Sequence, residues 1–268
     1  MKKLFIIFFA ISLIFAGEGL PVLTLPSIAQ DGYMPSSPVK TDNGVTFSYA
    51  NWYLATDYSA ISVKFNDYEI GFKGLMSSDI EIRGEVPTDV PVGTTSYYNT
   101  ALYVDKKWDL NDKWSVKARA NLLNERLYVA TSWGGSVNAE VARTINVMGR
   151  VMAGVENLGW MSPLSTVGTK VPTRYYLGGD LIFNFFIVSI KGGINPDIDP
   201  FLSWGIRYFH PLFEISYSHD SLQRVHHIGA DIKWKNFRIG YGQYFHQDGL
   251  GNPMMFSISI SPPIERIK

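Results

Sequence analysis

The stretch ISVKFNDYEIGFK, residues 61–73, contains the pattern that decides the fold. Apolar and polar residues alternate on both sides of Asn66-Asp67, a dipeptide of the kind found in tight turns. A period of two places successive side chains on opposite faces of a strand. The stretch therefore predicts a hairpin of two antiparallel strands, each with one apolar and one polar face.

The same alternation recurs from about residue 45 to residue 261. Most of the segments it marks are roughly 8–12 residues long, near the length that crosses a membrane as a tilted strand. An even number of strands is typical of bacterial single-chain barrels. The pattern predicts fourteen strands, at 45–54, 56–65, 68–76, 96–107, 113–123, 135–143, 148–157, 173–183, 186–194, 200–208, 212–219, 226–234, 237–246 and 253–261.

The connections between these strands alternate in length. Long connections rich in Gly, Pro, Ser and Asp are predicted at 77–95, 124–135, 158–172, 195–199, 219–225 and 246–252. Between them lie tight turns at Asn66-Asp67, Leu110–Asp112, Asn184-Phe185, His210-Pro211 and Lys235-Asn236. Long loops on one side and tight turns on the other are typical of a transmembrane barrel. The sequence therefore predicts an all-β, antiparallel, up-and-down transmembrane β-barrel, with every long connection outside the cell.

The N-terminus carries a separate targeting signal. Lys2 and Lys3 precede an apolar run, Leu4 to Phe15, that is too short to cross a bilayer as a helix. This pattern predicts a removed signal peptide over 1–17. Residues 18–44 are Pro-rich and fairly apolar, and are interpreted as a leader that is either disordered or a plug. The barrel is expected over 45–261 and a C-terminal tail over 262–268.

Composition narrows the classes of function. The formal net charge is zero, so nothing recruits nucleic acid by bulk electrostatics. The chain has no cysteine, which excludes disulfides, thiolate chemistry and a lipid anchor on cysteine. Aromatic residues form 14% of the chain and cluster at strand ends, where an aromatic girdle lies in a barrel. These features predict a protein of the cell outer membrane that contacts its lipid.

The polar face of the predicted strands carries charges of both signs. Lys117, Arg119 and Arg150 are the candidate lumen residues for a selective permeation path. The alternative is structural, because ion-pair networks are a common way to place charge inside a protein. Whether the lumen is open stays unresolved at this point.

Several segments resemble the PorV/PorQ family of outer-membrane proteins. They are Val45–Trp52, Ser96–Tyr103 with Trp114–Asn121, and Arg150–Gly159 followed by Val171–Gly178. The resemblance spans about 45–261 and implies a FadL-like fourteen-stranded barrel. Known members of the family include type IX secretion components that shuttle cargo, while many have no assigned role.

A search for catalytic and metal-binding residues gives no strong candidate. His219-Asp220-Ser221, with Ser218, His226, His227 and His246 nearby, could in principle supply a triad or metal ligands. No Gly-x-Ser-x-Gly motif and no His-Glu-x-x-His motif is present. We expect no catalytic residues, no metal site and no cofactor.

Two functions remain open from the sequence. The first is transport of small or hydrophobic solutes through the barrel. The second is a secretion-associated role in which outer loops hold a secreted or partner protein. Both would use apolar residues of the two predicted long loops, and the candidates for binding are Ile80, Ile82, Trp160, Met161 and Leu164.

Overall fold

The computed structural model describes residues 43–52, 56–82, 91, 93–164, 171–196, 199–221, 224–246 and 252–262. The predicted signal peptide and most of the predicted leader lie outside this part of the chain, as do residues 263–268 of the predicted tail. Within the described residues, no helix is long and apolar enough to cross a bilayer.

The described chain consists of fourteen β-strands joined by turns and connections. Their bounds are β1 Gly44–Trp52, β2 Thr56–Phe65, β3 Tyr68–Ile82, β4 Gly93–Asp109, β5 Trp114–Leu127, β6 Ala130–Asn146, β7 Gly149–Met161, β8 Arg174–Phe183, β9 Phe186–Ile194, β10 Pro200–Phe209, β11 Phe213–Asp220, β12 Val225–Trp234, β13 Phe237–His246 and β14 Met254–Ile260.

The strands form one closed barrel in which each strand pairs antiparallel with its neighbours in sequence. The first and last strands complete the closure, with a register that runs from Val45 opposite Ile260 to Asn51 opposite Met254. Closure leaves no edge strand among the fourteen described strands, so each pairs on both sides along the part of the wall that they share. The predicted fourteen-stranded, antiparallel barrel is confirmed.

The two faces of the wall differ as the alternation predicts. On β1, Val45, Phe47 and Tyr49 point outward and are exposed, whereas Thr46 and Ser48 point inward and are buried. The same division holds on β14, where Phe256 and Ile258 face outward. The exterior of the barrel is therefore apolar, and the interior carries the polar half of the pattern.

The barrel has two ends, which the lengths of the connections distinguish. The turn end carries the connections 66–67, 110–113, 147–148, 184–185, 210–212 and 235–236. The loop end carries 53–55, 83–92, 128–129, 162–173, 195–199, 221–224 and 247–253. The predicted separation of long from short connections was wrong at two positions, because the loop end also carries the three-residue connection 53–55 and the two-residue turn Tyr128-Val129.

Five consecutive strands are longer than the sequence pattern predicts. β3 to β7 contain 13–17 residues each, whereas the other nine strands contain 7–10. Ladder hydrogen bonds are made by the backbone, so the polar residues of 77–82 and 124–127 continue their strands. Residues 124–135 are thus a hairpin, and the long loop predicted there was wrong.

Two irregularities bend the longer strands near the loop end. The pairing of β3 with β4 shifts between Ser77 and Ile80, where Asp79 has a φ of 57°. The pairing of β6 with β7 shifts between Val137 and Ala139, close to Asn157 with a φ of 54°. Asn and Asp tolerate this left-handed conformation better than most residues. Both bulges re-aim the side chains that follow them.

Candidate functional site

An ion-pair group lies inside the barrel on β3, β4 and β5. Asp105 accepts a hydrogen bond from Arg119 Nε at 2.9 Å and lies 3.3 Å from Lys117 Nζ. The Arg119 guanidinium lies 4.3 Å from the centre of the Tyr103 ring. The Tyr103 hydroxyl donates to Glu69 at 2.6 Å. Asp105 and Glu69 are buried, and their charges are compensated by these neighbours.

A second group continues around the wall on β6 to β9. The Arg150 guanidinium donates to Glu140 at 2.7 Å and lies 3.6 Å from Asp180. The Tyr176 hydroxyl reaches across β7 and donates to Glu140 at 2.8 Å. The Ser189 hydroxyl donates to Asp180 at 2.6 Å. Arg150 therefore connects two buried carboxylates on different strands.

A third group lies on β10 to β13. Arg238 donates to both oxygens of Asp231, at 2.6 and 2.9 Å, and its other contact is with Glu214 at 2.8 Å. Arg207 lies 3.8 Å from the same Glu214. A bidentate pair of this kind fixes both partners more firmly than a single contact does. We name these three groups together the ion-pair belt, which lies in the half of the interior nearer the turn end.

The belt contains all three predicted lumen residues. Lys117, Arg119 and Arg150 face the interior, and each has a carboxylate partner. Because each of them is paired, these residues form a fixed ion-pair network and are not free charges that line a pore.

Further ion pairs occur closer to the loop end. Lys191 Nζ lies 2.6 Å from Glu156, on strands separated by β8. Arg174 on β8 donates to Asp220 on β11 at 3.0 Å. The Ser203 hydroxyl also donates to Asp220, at 2.8 Å. The contact between Arg174 and Asp220 passes over two intervening strands and so ties distant parts of the wall together.

The interior near the loop end also contains an apolar cluster. It extends over the adjacent strands β12, β13, β14, β1, β2 and β3, and Tyr97 on β4 packs against it. Tyr58, Met255 and Tyr244 are its largest members, and each is at most 2% exposed. The loop-end cluster consists of Ala50, Tyr58, Ala60, Leu75, Val225, Tyr244 and Met255. This part of the interior is therefore apolar, unlike the ion-pair belt.

A second apolar contact brings part of a connection into the barrel. Val171, which precedes β8, is buried against Ala101 and Leu123 on β4 and β5, and Met161 packs against them. Hydrogen bonds hold the segment in place, because the hydroxyl of Thr173 donates to the carbonyl of Asn157 at 2.9 Å. Residues 171–173 thus cover part of the interior at the loop end.

The five predicted binding residues do not form one site. Ile80 and Ile82 belong to strand β3 and not to a loop, and they pair with Thr95 and Gly93. Trp160 and Met161 belong to β7, and their side chains point to opposite faces, with Trp160 exposed outside. Leu164 lies beyond the end of β7. Placing Ile80, Ile82, Trp160 and Met161 in loops was wrong, because the strand ladder continues through these residues. Leu164 does lie in the connection between β7 and β8.

The histidines near the loop end are also divided by the wall. His219 and His226 stack on the exterior, with ring centres 4.4 Å apart, whereas His227 is fully buried inside. The side chain of His246 lies outside the described residues. Asp220 points inward to Arg174. His219 and Asp220 therefore lie on opposite faces, so His219-Asp220-Ser221 is not assembled as a triad. Across the described chain, no group of three or more His, Asp or Glu residues is placed to hold a metal ion.

The structure adds residues that the sequence reasoning did not select. Tyr58, Leu75, Tyr244 and Met255 form most of the loop-end cluster. A signal for them was present, because each lies at an inward position of the alternation yet is apolar. Apolar residues at inward positions of a predicted barrel mark departures from a polar lumen.

An external groove of about 290 Å³ lies where β4 extends past the β5–β6 turn. It is lined by Thr95, Ser96, Tyr98, Arg126, Tyr128 and Val129. Because it lies outside the wall, it is separate from the interior groups described above.

No family model matches the sequence. No curated protein matches it either. Solved structures with a similar fold do exist. One is the toluene transporter TodX of P. putida, with a TM-score of 0.56 and 10% identity over 84% of this chain and 91% of that chain. Another is the monoaromatic hydrocarbon channel CymD, with a TM-score of 0.53 and 9% identity over 94% of this chain and 98% of that chain. At these identities the similarity establishes the closed barrel fold and no more.

Proposed function

We propose that the protein is a non-catalytic outer-membrane barrel that passes small apolar solutes. The observation that carries this proposal is the loop-end cluster, because the interior of a bacterial barrel is ordinarily polar. Tyr58, Leu75 and Met255 are instead buried there, within reach of the mouth at the loop end. An apolar solute binds among such side chains because it leaves water when it does so.

The exterior of the barrel supports the membrane location. Its outward residues are mostly large and apolar, and many are exposed in the isolated chain. Burying such a surface in lipid is favourable by about 25 cal/mol per Å². Aromatic side chains lie at both ends of this surface, for example Trp108 and Trp234 at the turn end and Trp133 and Trp160 at the loop end. That arrangement matches the two girdles of a transmembrane barrel.

The proposed path runs first along the apolar loop-end cluster and then through the charged ion-pair belt. A solute that leaves the loop-end cluster toward the turn end meets Arg150, Glu140 and their neighbours. The ion pairs of the belt must break before the solute can pass. The belt is therefore a barrier to the solute, whereas the apolar cluster is not. The similarity in fold to a toluene transporter and a hydrocarbon channel supports an apolar solute as the cargo.

Adjacent methionines allow a matched test of this proposal. Met255 is buried in the cluster, whereas Met254 faces outward and is exposed. We would measure the flux of radiolabelled toluene across an asymmetric bilayer with one lipopolysaccharide leaflet, which itself resists apolar solutes. Met255→Trp fills the cluster and should lower the flux several-fold, and Met254→Trp should leave it unchanged. If the unsubstituted protein gives no more flux than a bilayer without protein, transport is contradicted.

A second candidate function is a secretion-associated barrel of the PorV/PorQ type that docks a partner protein. The observation in its favour is the exposed aromatic surface at the loop end of the longer strands. Tyr128, Trp133 and Trp160 are each more than half exposed there. Tyr and Trp contribute strongly to protein–protein interfaces.

The second candidate is tested in the cell. Deleting the gene should remove specific proteins from the culture medium if the barrel serves secretion. Complementation with Trp160→Ser should then fail, whereas Leu122→Ser, another exposed outward residue nearer the middle of the wall, should restore release. An unchanged set of released proteins after deletion would exclude this role.

A further inference from the structure

A lysine on the exterior of the barrel lies between two aromatic rings at the turn end. Asp105 on β4 points into the barrel, so the next residue, Lys106, points outward. Lys106 Nζ lies 4.2 Å from the centre of the Tyr68 ring and 5.1 Å from the centre of the Trp108 ring. It also donates a hydrogen bond to the Tyr68 hydroxyl. The ammonium group is therefore held at a defined place on the membrane-facing surface.

The same arrangement is repeated around the turn end. The Arg143 guanidinium lies 5.3 Å from the Trp114 ring centre, where β5 begins and β6 approaches its end. Lys235, in the β12–β13 turn, lies 5.2 Å from the Trp234 ring centre. Each of these cations has one aromatic partner, whereas Lys106 has two.

These exterior cations differ from the interior ones in how their charge is compensated. Arg119, Arg150 and Arg238 inside the barrel each contact a carboxylate. Among the residues that the structure describes, the Lys106 ammonium group bonds to the Tyr68 hydroxyl and lies near the Tyr68 and Trp108 rings, and it has no acidic partner. A cation at the boundary between lipid and water attracts an anion, and the anion available in that plane is a lipid phosphate.

We propose that Lys106, held by Tyr68 and Trp108, binds the phosphate of an anionic phospholipid in the leaflet at the turn end. The inference rests on the proposed membrane location. An ammonium group has three donors, and one is directed to the Tyr68 hydroxyl. Two donors remain for phosphate oxygens, while the two rings lie where acyl chains meet headgroups. Arg143 and Lys235 are weaker sites of the same kind.

The test compares two adjacent lysines in the same strand. Lys106→Met removes the charge and keeps an unbranched side chain. Lys107→Met is the control, because Lys107 Nζ already pairs with Asp109 at 2.7 Å. Binding of phosphatidylglycerol and of phosphatidylcholine to the purified full-length protein would be titrated by native mass spectrometry. Correct folding would be checked for each variant by the heat-dependent shift in gel mobility.

The proposal predicts that phosphatidylglycerol binds more tightly than phosphatidylcholine. Lys106→Met should weaken phosphatidylglycerol binding about five-fold, the factor that corresponds to the ~1 kcal/mol of one cation at a lipid surface. Lys107→Met should leave it unchanged, and Lys106→Arg should retain it. If Lys106→Met does not fold, salt titration of the unsubstituted protein still decides, because headgroup binding must weaken as salt rises.

Two results would overturn the inference. One is equal binding of the two phospholipids by the unsubstituted protein, which would leave only acyl-chain contacts. The other is undiminished phosphatidylglycerol binding by folded Lys106→Met. Failure to bind either lipid would instead contradict the membrane location itself, so the two failures are distinguishable.

Discussion

The ring of Tyr103 lies directly over Gly71 on the neighbouring strand, and from there the Tyr103 hydroxyl donates a hydrogen bond to Glu69. A Cβ at position 71 would come within 2.5 Å of that ring. The glycine therefore creates the space in which the tyrosine, Glu69 and Arg119 assemble. Gly154 stands in the same relation to Tyr176, where a Cβ would lie 2.7 Å from the hydroxyl oxygen.

Gly71→Ala should destabilise the protein by about 1–3 kcal/mol, the usual cost of an overpacked interior. The displaced Tyr103 would also lose its hydrogen bond to Glu69. Gly74→Ala is the control, because its Cβ would have 3.3 Å to the nearest atom, the edge of the Phe72 side chain. Urea unfolding in lipid vesicles, followed by tryptophan fluorescence, measures both. Equal stability of the two variants would refute the packing role of Gly71.

Glu140→Gln should lower the free energy of unfolding by about 3 kcal/mol. It leaves Arg150, whose side chain is only 15% exposed, without its nearest carboxylate, and breaking one partner of a largely buried pair is costly. Asp109→Asn breaks an ion pair with Lys107 whose two side chains are about half exposed. Exposed pairs contribute less than about 1 kcal/mol. The same urea experiment compares the two, and a larger loss for Asp109→Asn would contradict the burial argument.

Asn157→Ala should destabilise the protein more than Asn157→Gly does. Both substitutions remove the hydrogen bond from Asn157 Nδ2 to the carbonyl of Pro172. Only alanine adds the cost of the left-handed backbone, about 1–2 kcal/mol. Asn184 has a similar φ, 49°, but lies in an exposed turn, so Asn184→Gly serves as the control and should be nearly neutral. Thermal unfolding in detergent ranks the variants, and equal values for Ala and Gly at position 157 would refute backbone strain there.

Deleting residues 18–42, the part of the predicted leader that precedes Asn43 and β1, should raise the single-channel conductance of the refolded protein in a planar bilayer. Leu20, Val22 and Leu23 make this predicted leader apolar enough to favour docking over free disorder. The control is a chain in which the same residues are replaced by a Gly/Ser sequence of equal length. If the full-length protein and the deleted form carry equal current, the leader is not a plug. Current only from the deleted form would identify one.

Part of the functional picture could be predicted from residue patterns alone. The inward positions of Lys117, Arg119 and Arg150 follow from parity within their strands, and all three lie inside. Their acidic partners could not be predicted, because Asp180 and Glu140 contact Arg150 from strands on either side of it. The faces to which Trp160 and Met161 point could not be predicted either. Their orientation is set after the bulge near Asn157, which shifts the register by one residue.

The sequence by itself determined the strand count, the antiparallel order and the two faces of the wall. These depend on alternation and turn chemistry, which are local properties of the chain. Only the tertiary structure decided the length of β3 to β7, because backbone pairing continues through polar residues when a neighbouring strand is present. It also decided where charge and apolar surface meet inside the barrel. Tyr58 and Tyr244 belong to one cluster because closure brings β2 and β13 together around β1 and β14.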